Sequence, residues 1–140
     1  MKDTEKMKLG YCCGVFDLGH IGHMRVLKNS KRQCDCIIIG LVTDDAVKKQ
    51  KGDSRPILTY KERKKWLYEM GYHNIVKQET FDPSDNLIKF RPNVFIKGKD
   101  QTHISEKTAK DLDIEIIYLK RTNGISTSDI IKRIRNDSIK

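Results

Sequence analysis

The chain has 140 residues, of which 37% are hydrophobic and 34% charged, and its formal net charge is +9 at pH 7. This length fits one domain that buries roughly two thirds of its unfolded surface without help from disulfides. No apolar run approaches the ~20 residues of a membrane span. Because Met1–Lys6 lacks an apolar signal core, we expect a cytoplasmic protein. The positive charge indicates an anionic partner but does not name it.

The four cysteines do not form a recognisable metal or redox motif. They stand at Cys12, Cys13, Cys34 and Cys36, and no pair has C-x-x-C spacing. Side chains alternate along a strand, so Cys12 and Cys13 would point to opposite faces. We expect reduced, buried thiols, as is usual in the cytosol.

Two basic runs, Lys48–Lys51 and Lys61–Lys65, contain no aromatic residue, although nucleic-acid surfaces often interleave the two. A nucleic-acid partner is therefore not predicted. The runs fit either a polyphosphate site or an ordinary solvated surface, and the sequence leaves these two interpretations open.

Apolar segments with strand character alternate with helical segments along the chain. Strands are predicted at 9–16, 36–42, 74–76, 93–96 and 114–119. Helices are predicted at 21–31, 59–70, 82–90 and 105–110 and from 126 onward, with a capping box at Thr59–Glu62. A short helix begins near Thr43, and the segment from Lys48 to Pro56 is interpreted as a loop. The sole tryptophan, Trp66, is predicted to lie in the core.

This alternation predicts one α/β domain with a five-stranded, mostly parallel sheet flanked by helices. Ligands of such sheets bind at the carboxyl ends of the strands, where the strand order reverses. We therefore expect the turns after Phe16, Ile96 and Leu119 to share one rim.

The turn after the first strand carries two histidines, His20 and His23, where the first helix begins. A strand, a turn with Gly19 and Gly22, and a helix form a layout in which backbone N–H groups face an anion. The pair could be half of a metal site, but no nearby cysteine or second histidine pair offers a third ligand. It could also be incidental polar capping. The functional interpretation is that both imidazoles donate hydrogen bonds to phosphate oxygens.

Two segments carry a family resemblance. Gly14–Asp17 with His20–His23 resembles the signature of the nucleotidyltransferase superfamily that shares an H-x-G-H turn with class I aminoacyl-tRNA synthetases. Residues 121–128, R-T-N-G-I-S-T-S, are similar to the R-T-x-G-I-S-T-[ST] of cytidylyltransferases. The sequence contains no K-M-S-K-S-like run, so a synthetase is not predicted. The resemblance extends from about Leu9 to Arg135, and the small glycerol-3-phosphate cytidylyltransferases are the most similar in order and spacing.

The resemblance implies a single Rossmann-like nucleotidyltransferase domain over residues 1–140. It would transfer CMP from CTP to a small phosphorylated alcohol, first of all glycerol 3-phosphate, and release pyrophosphate. Mg²⁺ would accompany CTP, and related enzymes are often homodimers. One alternative is an adenylyltransferase that uses ATP with a phosphorylated sugar or cofactor precursor, because ADP-heptose, FAD and pantetheine pathways use similar domains. Another is a nucleotide- or nucleic-acid-binding module without turnover.

The resemblance also implies which residues are catalytic. His20 and His23 would contact the α-phosphate, Lys51 both reacting phosphates, and Arg121 the β- and γ-phosphates. Lys49 is an alternative to Lys51, because the register of that loop is open.

Other residues would bind the nucleotide or the second substrate. Lys51 and Arg63 are expected to bind the second substrate. Asp17 would orient its loop or hold a metal-bound water, and capping of the turn is an equal alternative. Lys99 stands where the family pattern leads us to expect an acidic residue. The expected nucleotide-binding residues are Gly14, Val15, Phe16, Asp17, Gly22, Gly98, Asp100, Arg121, Gly124, Ile125, Ser126 and Thr127.

Overall fold

The computed structural model describes residues 7–98, 104–120 and 126–139. Its strands are β1 (Leu9–Gly14), β2 (Cys36–Val42), β3 (Ile75–Gln78), β4 (Val94–Gly98) and β5 (Glu115–Leu119). Its helices are α1 (Ile21–Arg32), α2 (Asp44–Lys51), α3 (Tyr60–Glu69), α4 (Ser84–Phe90), α5 (Ile104–Asp111) and α6 (Thr127–Ile139). Within these ranges, no helix is both long and apolar enough to cross a membrane.

All strand pairs in the sheet are parallel, in the order β3-β2-β1-β4-β5. The predicted α/β domain with a five-stranded sheet is thus confirmed. The chain moves outward from β1 to β3 and then returns to the other side of β1 at β4, so the strand order reverses there. The H-x-G-H turn follows β1 directly and therefore lies at the place where ligands of such sheets bind.

Each face of the sheet has its own hydrophobic cluster. One contains Leu27 of α1 and Leu67 of α3, and the other contains Leu87 of α4 and Ala109 of α5. Cys12 packs in the first cluster and Cys13 against the second, as strand alternation predicts. All four cysteines are free thiols. Trp66 is partly buried and packs against the first cluster, so it lies at the edge of the core in which it was predicted.

One local prediction, the loop from Lys48 to Pro56, was wrong in its first part, because α2 continues to Lys51. The Thr43 side chain caps this helix by accepting a hydrogen bond from the backbone N–H of Ala46 at 3.4 Å. Two acidic residues in the first turn and three lysines in the last turn complement the helix dipole. These charges favour a helix over the whole segment up to Gly52, where the φ of 95° ends it.

The predicted capping box at the start of α3 is confirmed. Thr59 Oγ1 accepts a hydrogen bond from the Glu62 backbone N–H at 3.2 Å, and Glu62 Oε1 accepts one from the Thr59 N–H at 3.0 Å. Two of the unpaired donors at the helix start are satisfied in this way. The box fixes the chain where it returns from the loop after α2.

Candidate active site

A cavity of about 690 Å³ opens at the carboxyl ends of β1 and β2, a size typical of small-molecule sites. It is formed by five segments of the chain that are far apart in sequence. The predicted site residues in its lining are Gly14, Val15, Phe16, Asp17, His23, Lys51 and Thr127. The lining also includes polar residues that the sequence analysis did not single out: Gln50, Arg55, Gln78, Asp82 and Ser105.

The loop between β1 and α1 follows an unusual backbone path. Phe16 and Leu18 have φ angles of 53° and 62°, in the left-handed region, so the strand ends at Gly14 and not at Phe16 as predicted. A Cβ on Gly19 would lie 2.4 Å from Cε2 of Trp66. Only glycine fits there, because the turn packs directly on the indole.

The two histidines of the turn hold the start of α1 together. His20 is the N-cap, and its Nδ1 accepts hydrogen bonds from the backbone N–H groups of Gly22 at 3.1 Å and His23 at 3.4 Å. His23 Nδ1 accepts one from the His20 N–H at 3.3 Å, and the rings stack with centroids 3.6 Å apart. Because each Nδ1 accepts, each neutral ring carries its proton on Nε2, which remains as a donor.

Burial keeps these imidazoles neutral in the free protein. It lowers the pKa of His23 to about 3, and the charges of His20 and Lys51 act in the same direction. Burial also lowers the pKa of His20. The edges of Phe16 and Trp66 lie against His23, with centroid distances of 5.4 and 6.2 Å. The pair therefore provides hydrogen-bond donors at pH 7 and not positive charges.

Asp17 is buried and fixed by the backbone of a distant loop. Its Oδ2 accepts a hydrogen bond from the Ile57 N–H at 2.7 Å, and its Oδ1 accepts one from the Leu58 N–H at 2.9 Å. Its carbonyl oxygen accepts a bond from Thr127 Oγ1 at 2.9 Å, which ties the start of α6 to the same turn. This geometry agrees with the loop-orienting role, because each carboxylate oxygen accepts a hydrogen bond from the backbone before α3. The alternative role, holding a metal-bound water, stays a prediction.

Lys51 is the last residue of α2, and it lines the cavity. Lys49 lies on the same helix but outside the lining, although both lysines are exposed to solvent. Burial lowers the pKa of Lys51, the nearby charge of Arg55 lowers it further, and Asp17 acts in the opposite direction. Between the two lysines that the sequence left open, the geometry favours Lys51.

Arg63 lies in a different place from the one expected of a substrate-binding residue, because its side chain is fully buried. Its Nη1 donates to the carbonyl oxygens of Val15 at 2.9 Å and Val42 at 2.8 Å. Its Nε donates to Leu58 O at 3.1 Å, and its Nη2 to Asp44 Oδ1 at 2.6 Å. Direct contact with a substrate has no support in this geometry. The guanidinium instead joins the carboxyl ends of β1 and β2.

His20, which stacks on the lining residue His23, and the remaining predicted residues are not in the cavity lining. Gly22 is buried in the first turn of α1, and Gly98 ends β4. Ser126 Oγ accepts a hydrogen bond from the Asp129 N–H at 3.1 Å and so caps α6. The residues Lys99, Asp100, Arg121, Gly124 and Ile125 lie outside the described residues, and what was expected of them stays a prediction.

Polar side chains at the carboxyl end of β3 complete the cavity on that side. Gln78 is buried, with its Oε1 accepting from Tyr11 Oη at 2.6 Å and its Nε2 donating to Thr80 O at 3.0 Å. A Cβ on Gly40 would lie 1.8 Å from that tyrosine oxygen, so the glycine makes room for the bond. Asp82 Oδ1 accepts hydrogen bonds from the backbone N–H and the hydroxyl of Ser84.

The comparison with protein families identifies the class of protein. The cytidylyltransferase-like family matches residues 11–133, so the chain belongs to this family of nucleotidyltransferase enzymes. Among similar proteins, the bifunctional protein HldE of Helicobacter hepaticus is 34% identical in an alignment of 140 positions that covers 99% of this chain and 29% of the relative. The HldE protein of Bradyrhizobium sp. is 30% identical in an alignment of 138 positions that covers 96% of this chain and 28% of the relative. The chain thus spans less than a third of these relatives.

Solved structures share the fold. The lipopolysaccharide core biosynthesis protein from Thermoplasma volcanium superposes with a TM-score of 0.72 at 20% identity, over 84% of this chain and 99% of that one. Pantoate-beta-alanine ligase from Francisella tularensis, solved with beta-gamma ATP and beta-alanine, gives 0.60 at 14% identity, over 95% and 70%. At these identities the likeness concerns the fold alone.

Proposed function

We propose that the protein is an adenylyltransferase that transfers AMP from ATP to a phosphorylated sugar and releases pyrophosphate. The observation that carries nucleotidyl transfer is that His23 and Lys51 line a cavity at the reversal of strand order, with the His20 ring stacked on His23. The similarity to HldE proteins along nearly the whole chain favours the ADP-heptose alternative over CMP transfer to an alcohol phosphate.

In this reaction a phosphate oxygen of the acceptor attacks the α-phosphorus of the nucleotide. A new P–O bond forms, the bond from the α-phosphorus to the bridging oxygen breaks, and pyrophosphate leaves with that electron pair. The second pKa of a phosphate monoester is about 6, so the nucleophile is already deprotonated at pH 7 and needs no general base. Catalysis then consists of positioning two polyanions and stabilising the charge of the transition state.

The chain supplies donors and cations for that task. The Nε2–H groups of His20 and His23 would donate to oxygens of the α-phosphate, where charge develops. Lys51 would stand between the two reacting phosphates, with the positive ends of α1 and α6 nearby. In other enzymes the loss of one such preorganised donor costs on the order of 10²–10³ in rate.

Mg²⁺ enters the proposal with the triphosphate. Magnesium is commonly held by substrate phosphates with one or two carboxylates and several waters. The described residues contain no cluster of three histidine, cysteine or carboxylate side chains suited to a metal. In this proposal the metal is held mainly by the phosphates of the nucleotide.

A sugar acceptor agrees with the polar side of the cavity. Hydroxyl groups pair well with carboxylates, amides and other hydroxyls. The cavity lining includes one of each in Asp82, Gln78 and Ser105, in addition to the cations that would receive the acceptor's phosphate. The Gln78 amide is already bonded to Tyr11 and Thr80, so it gives the lining polarity more than an open partner.

The direct test is a matrix of substrates. The protein is incubated with Mg²⁺, one of the four nucleoside triphosphates and one of a panel of sugar phosphates and alcohol phosphates, and pyrophosphate is measured. Controls without acceptor separate transfer from hydrolysis, and mass spectrometry identifies the product. We expect release with ATP and a sugar phosphate, and an ADP-sugar as product.

The other outcomes each favour a named alternative. The second candidate, CMP transfer to an alcohol phosphate, is supported by the similarity of residues 121–128 to cytidylyltransferases. Pyrophosphate release with CTP and an alcohol phosphate, but with no other nucleotide, would establish it. No release with any pair would favour a binding module without turnover. A homodimer remains a prediction, to be tested by sedimentation.

A further inference from the structure

The indole of Trp66 packs directly against the turn that carries the two histidines. A Cβ on Gly19 would lie 2.5 Å from Nε1 and 2.9 Å from Cδ2 of the indole, so the ring touches the glycine backbone without a gap. The same indole lies against the His23 imidazole, with centroids 6.2 Å apart and an interplanar angle of 67°. Trp66 is not part of the cavity lining. It therefore contacts the site residues from outside the cavity.

Helix α3 holds Trp66 in place from a distant part of the chain. Trp66 follows Arg63 by three positions, so the two side chains are neighbours on one side of the helix. The Arg63 guanidinium donates to the carbonyl oxygens of Val15 and Val42 at 2.9 and 2.8 Å. The capping box at Thr59 fixes the start of the same helix. The indole thus approaches the turn from an element that is tied to the ends of β1 and β2.

The His23 ring depends on such packing for its orientation. Its Nδ1 accepts a hydrogen bond from the His20 N–H at 3.3 Å, which is longer than usual, so this bond alone holds the ring weakly. The ring is also stacked on His20 and lies against Phe16, with centroid distances of 3.6 and 5.4 Å. These neighbours belong to the same turn as His23 and would move with it. Trp66 is the ring contact that comes from another element.

Trp66 also shields one side of His23 from water. Burial is the main reason why the pKa of His23 is low, and the charged groups that act on it, His20 and Lys51, lower it further. An indole is a large apolar group, so its removal would admit water beside the imidazole. The ionisation of His23 can therefore report whether the indole is in place.

We propose that Trp66 is a positioning residue for nucleotidyl transfer, because it holds the H-x-G-H turn and the His23 ring in the orientation that presents Nε2–H to the α-phosphate. The inference rests on the proposed function and adds a residue that does not touch the substrate. A donor that acts on the transition state affects kcat more than ground-state binding. The loss of the indole should therefore lower kcat and leave the KM of the nucleotide nearly unchanged.

The first experiment measures the ionisation of His23 in the free protein, so it requires no substrate. NMR follows the histidine Cε1–H signals from about pH 3 to 8, and His23→Asn assigns the signal. We expect Trp66→Leu to raise the pKa of His23 from about 3 toward its ordinary value of 6.5. The matched control is Tyr72→Leu, because Tyr72 packs against the same cluster but lies beside Lys31, at the other end of α1. It should leave the titration of His23 unchanged.

The second experiment measures turnover per folded molecule. Trp66→Leu should lower kcat about 10- to 100-fold, because a small misplacement of a catalytic group has an effect of this size. In a protein that already contains His23→Asn, Trp66→Leu should add little further loss, because its effect passes mainly through His23. Tyr72→Leu should leave kcat unchanged with or without His23.

Thermal unfolding shows whether each variant is folded. Trp66→Phe keeps an aromatic ring that is too small to cover both Gly19 and His23, so it should change the titration less, and it decides the matter if Trp66→Leu does not fold. An unaltered His23 titration in the folded variant, or losses that multiply in the double variant, would overturn the inference. If the wild type releases no pyrophosphate with any nucleotide, the proposed function fails, and the titration alone decides whether Trp66 holds the ring.

Discussion

His20 and His23 accept hydrogen bonds from each other's backbone: His20 Nδ1 from the His23 N–H, and His23 Nδ1 from the His20 N–H. Serine and glutamate form the same reciprocal cap at the start of many helices. Two imidazoles differ from that pair because each keeps a second nitrogen, Nε2, with a proton to donate. One motif therefore stabilises the helix and leaves two Nε2–H groups as hydrogen-bond donors.

The two tasks of His20 can be separated by His20→Asn. Asparagine is a good N-cap, so the free energy of unfolding should change by less than about 1 kcal/mol. The variant lacks the Nε2–H donor, so kcat for pyrophosphate release should fall about 10²- to 10³-fold per folded molecule. His73→Asn is the control, because His73 is exposed and stacks on Tyr68 away from the cavity. If stability falls and turnover does not, His20 is a structural residue only.

The lowered pKa of His23 predicts how stability depends on pH. Above pH 6.5 both the folded and the unfolded states have a neutral ring, so this group contributes no difference. Below pH 6.5 the unfolded state takes up a proton that the folded state refuses until about pH 3. Stability should therefore decrease as pH falls through this window, with a limiting slope of about 1.4 kcal/mol per pH unit from this group. Urea unfolding of wild type and His23→Asn at several pH values measures it, and parallel curves would contradict it.

Neutral histidines also predict the pH profile of the reaction. At low nucleotide concentration kcat/KM reports the ionisation of the free enzyme. Because His20 and His23 are neutral there, kcat/KM should not decline between pH 6.5 and 8.5. A decline through pH 7 that disappears in His20→Asn would show that a protonated imidazole is required.

Lys51 and Lys49 give a comparison within one helix. Lys51→Ala should lower kcat/KM about 10²-fold or more, because the variant removes a cation from the cavity lining. Lys49→Ala should stay within about twofold of the wild type, as expected for a residue outside that lining. Steady-state rates of pyrophosphate release decide between them, and the reverse order would place Lys49 at the reacting phosphates.

Arg63 should matter for stability and not for substrate affinity. Arg63→Gln leaves the carbonyl oxygens of Val15 and Val42 and the Asp44 carboxylate without their buried donor. We expect a loss of about 3–5 kcal/mol in the free energy of unfolding by urea. Arg32→Gln is the control, because Arg32 is exposed at the end of α1. A small loss of stability together with a large rise in acceptor KM would restore the expectation that Arg63 binds substrate.

The predictions that succeeded rest on local patterns. The strand and helix alternation, the T-x-x-E cap at Thr59 and the glycines of the H-x-G-H turn can each be interpreted within a few residues of sequence. Glycine at position 19 marks a turn whatever lies beside it. The reason why only glycine fits there is that the Trp66 indole packs against it, and this contact is visible only in the folded structure.

The predictions that failed depend on contacts between distant segments. Arg63 was assigned to the substrate because the start of its helix resembles a family segment with an arginine near the active site. Its guanidinium instead donates to carbonyl groups at the ends of two other elements. Arg55 was missed because nothing in its neighbourhood distinguishes it from a surface cation. The only available signal was a second positive charge four residues after Lys51. Its place is set by a loop that Asp17 holds from 40 residues away.

The hydrogen bond from Thr127 to Asp17 joins residues 110 positions apart. During synthesis, the ribosome therefore adds Thr127 well after the H-x-G-H turn on which it docks. A nascent chain can already contain the five described strands while the cavity still lacks the part of its lining that Thr127 provides. The cavity is complete only once Thr127 has been added and has bonded to the carbonyl oxygen of Asp17.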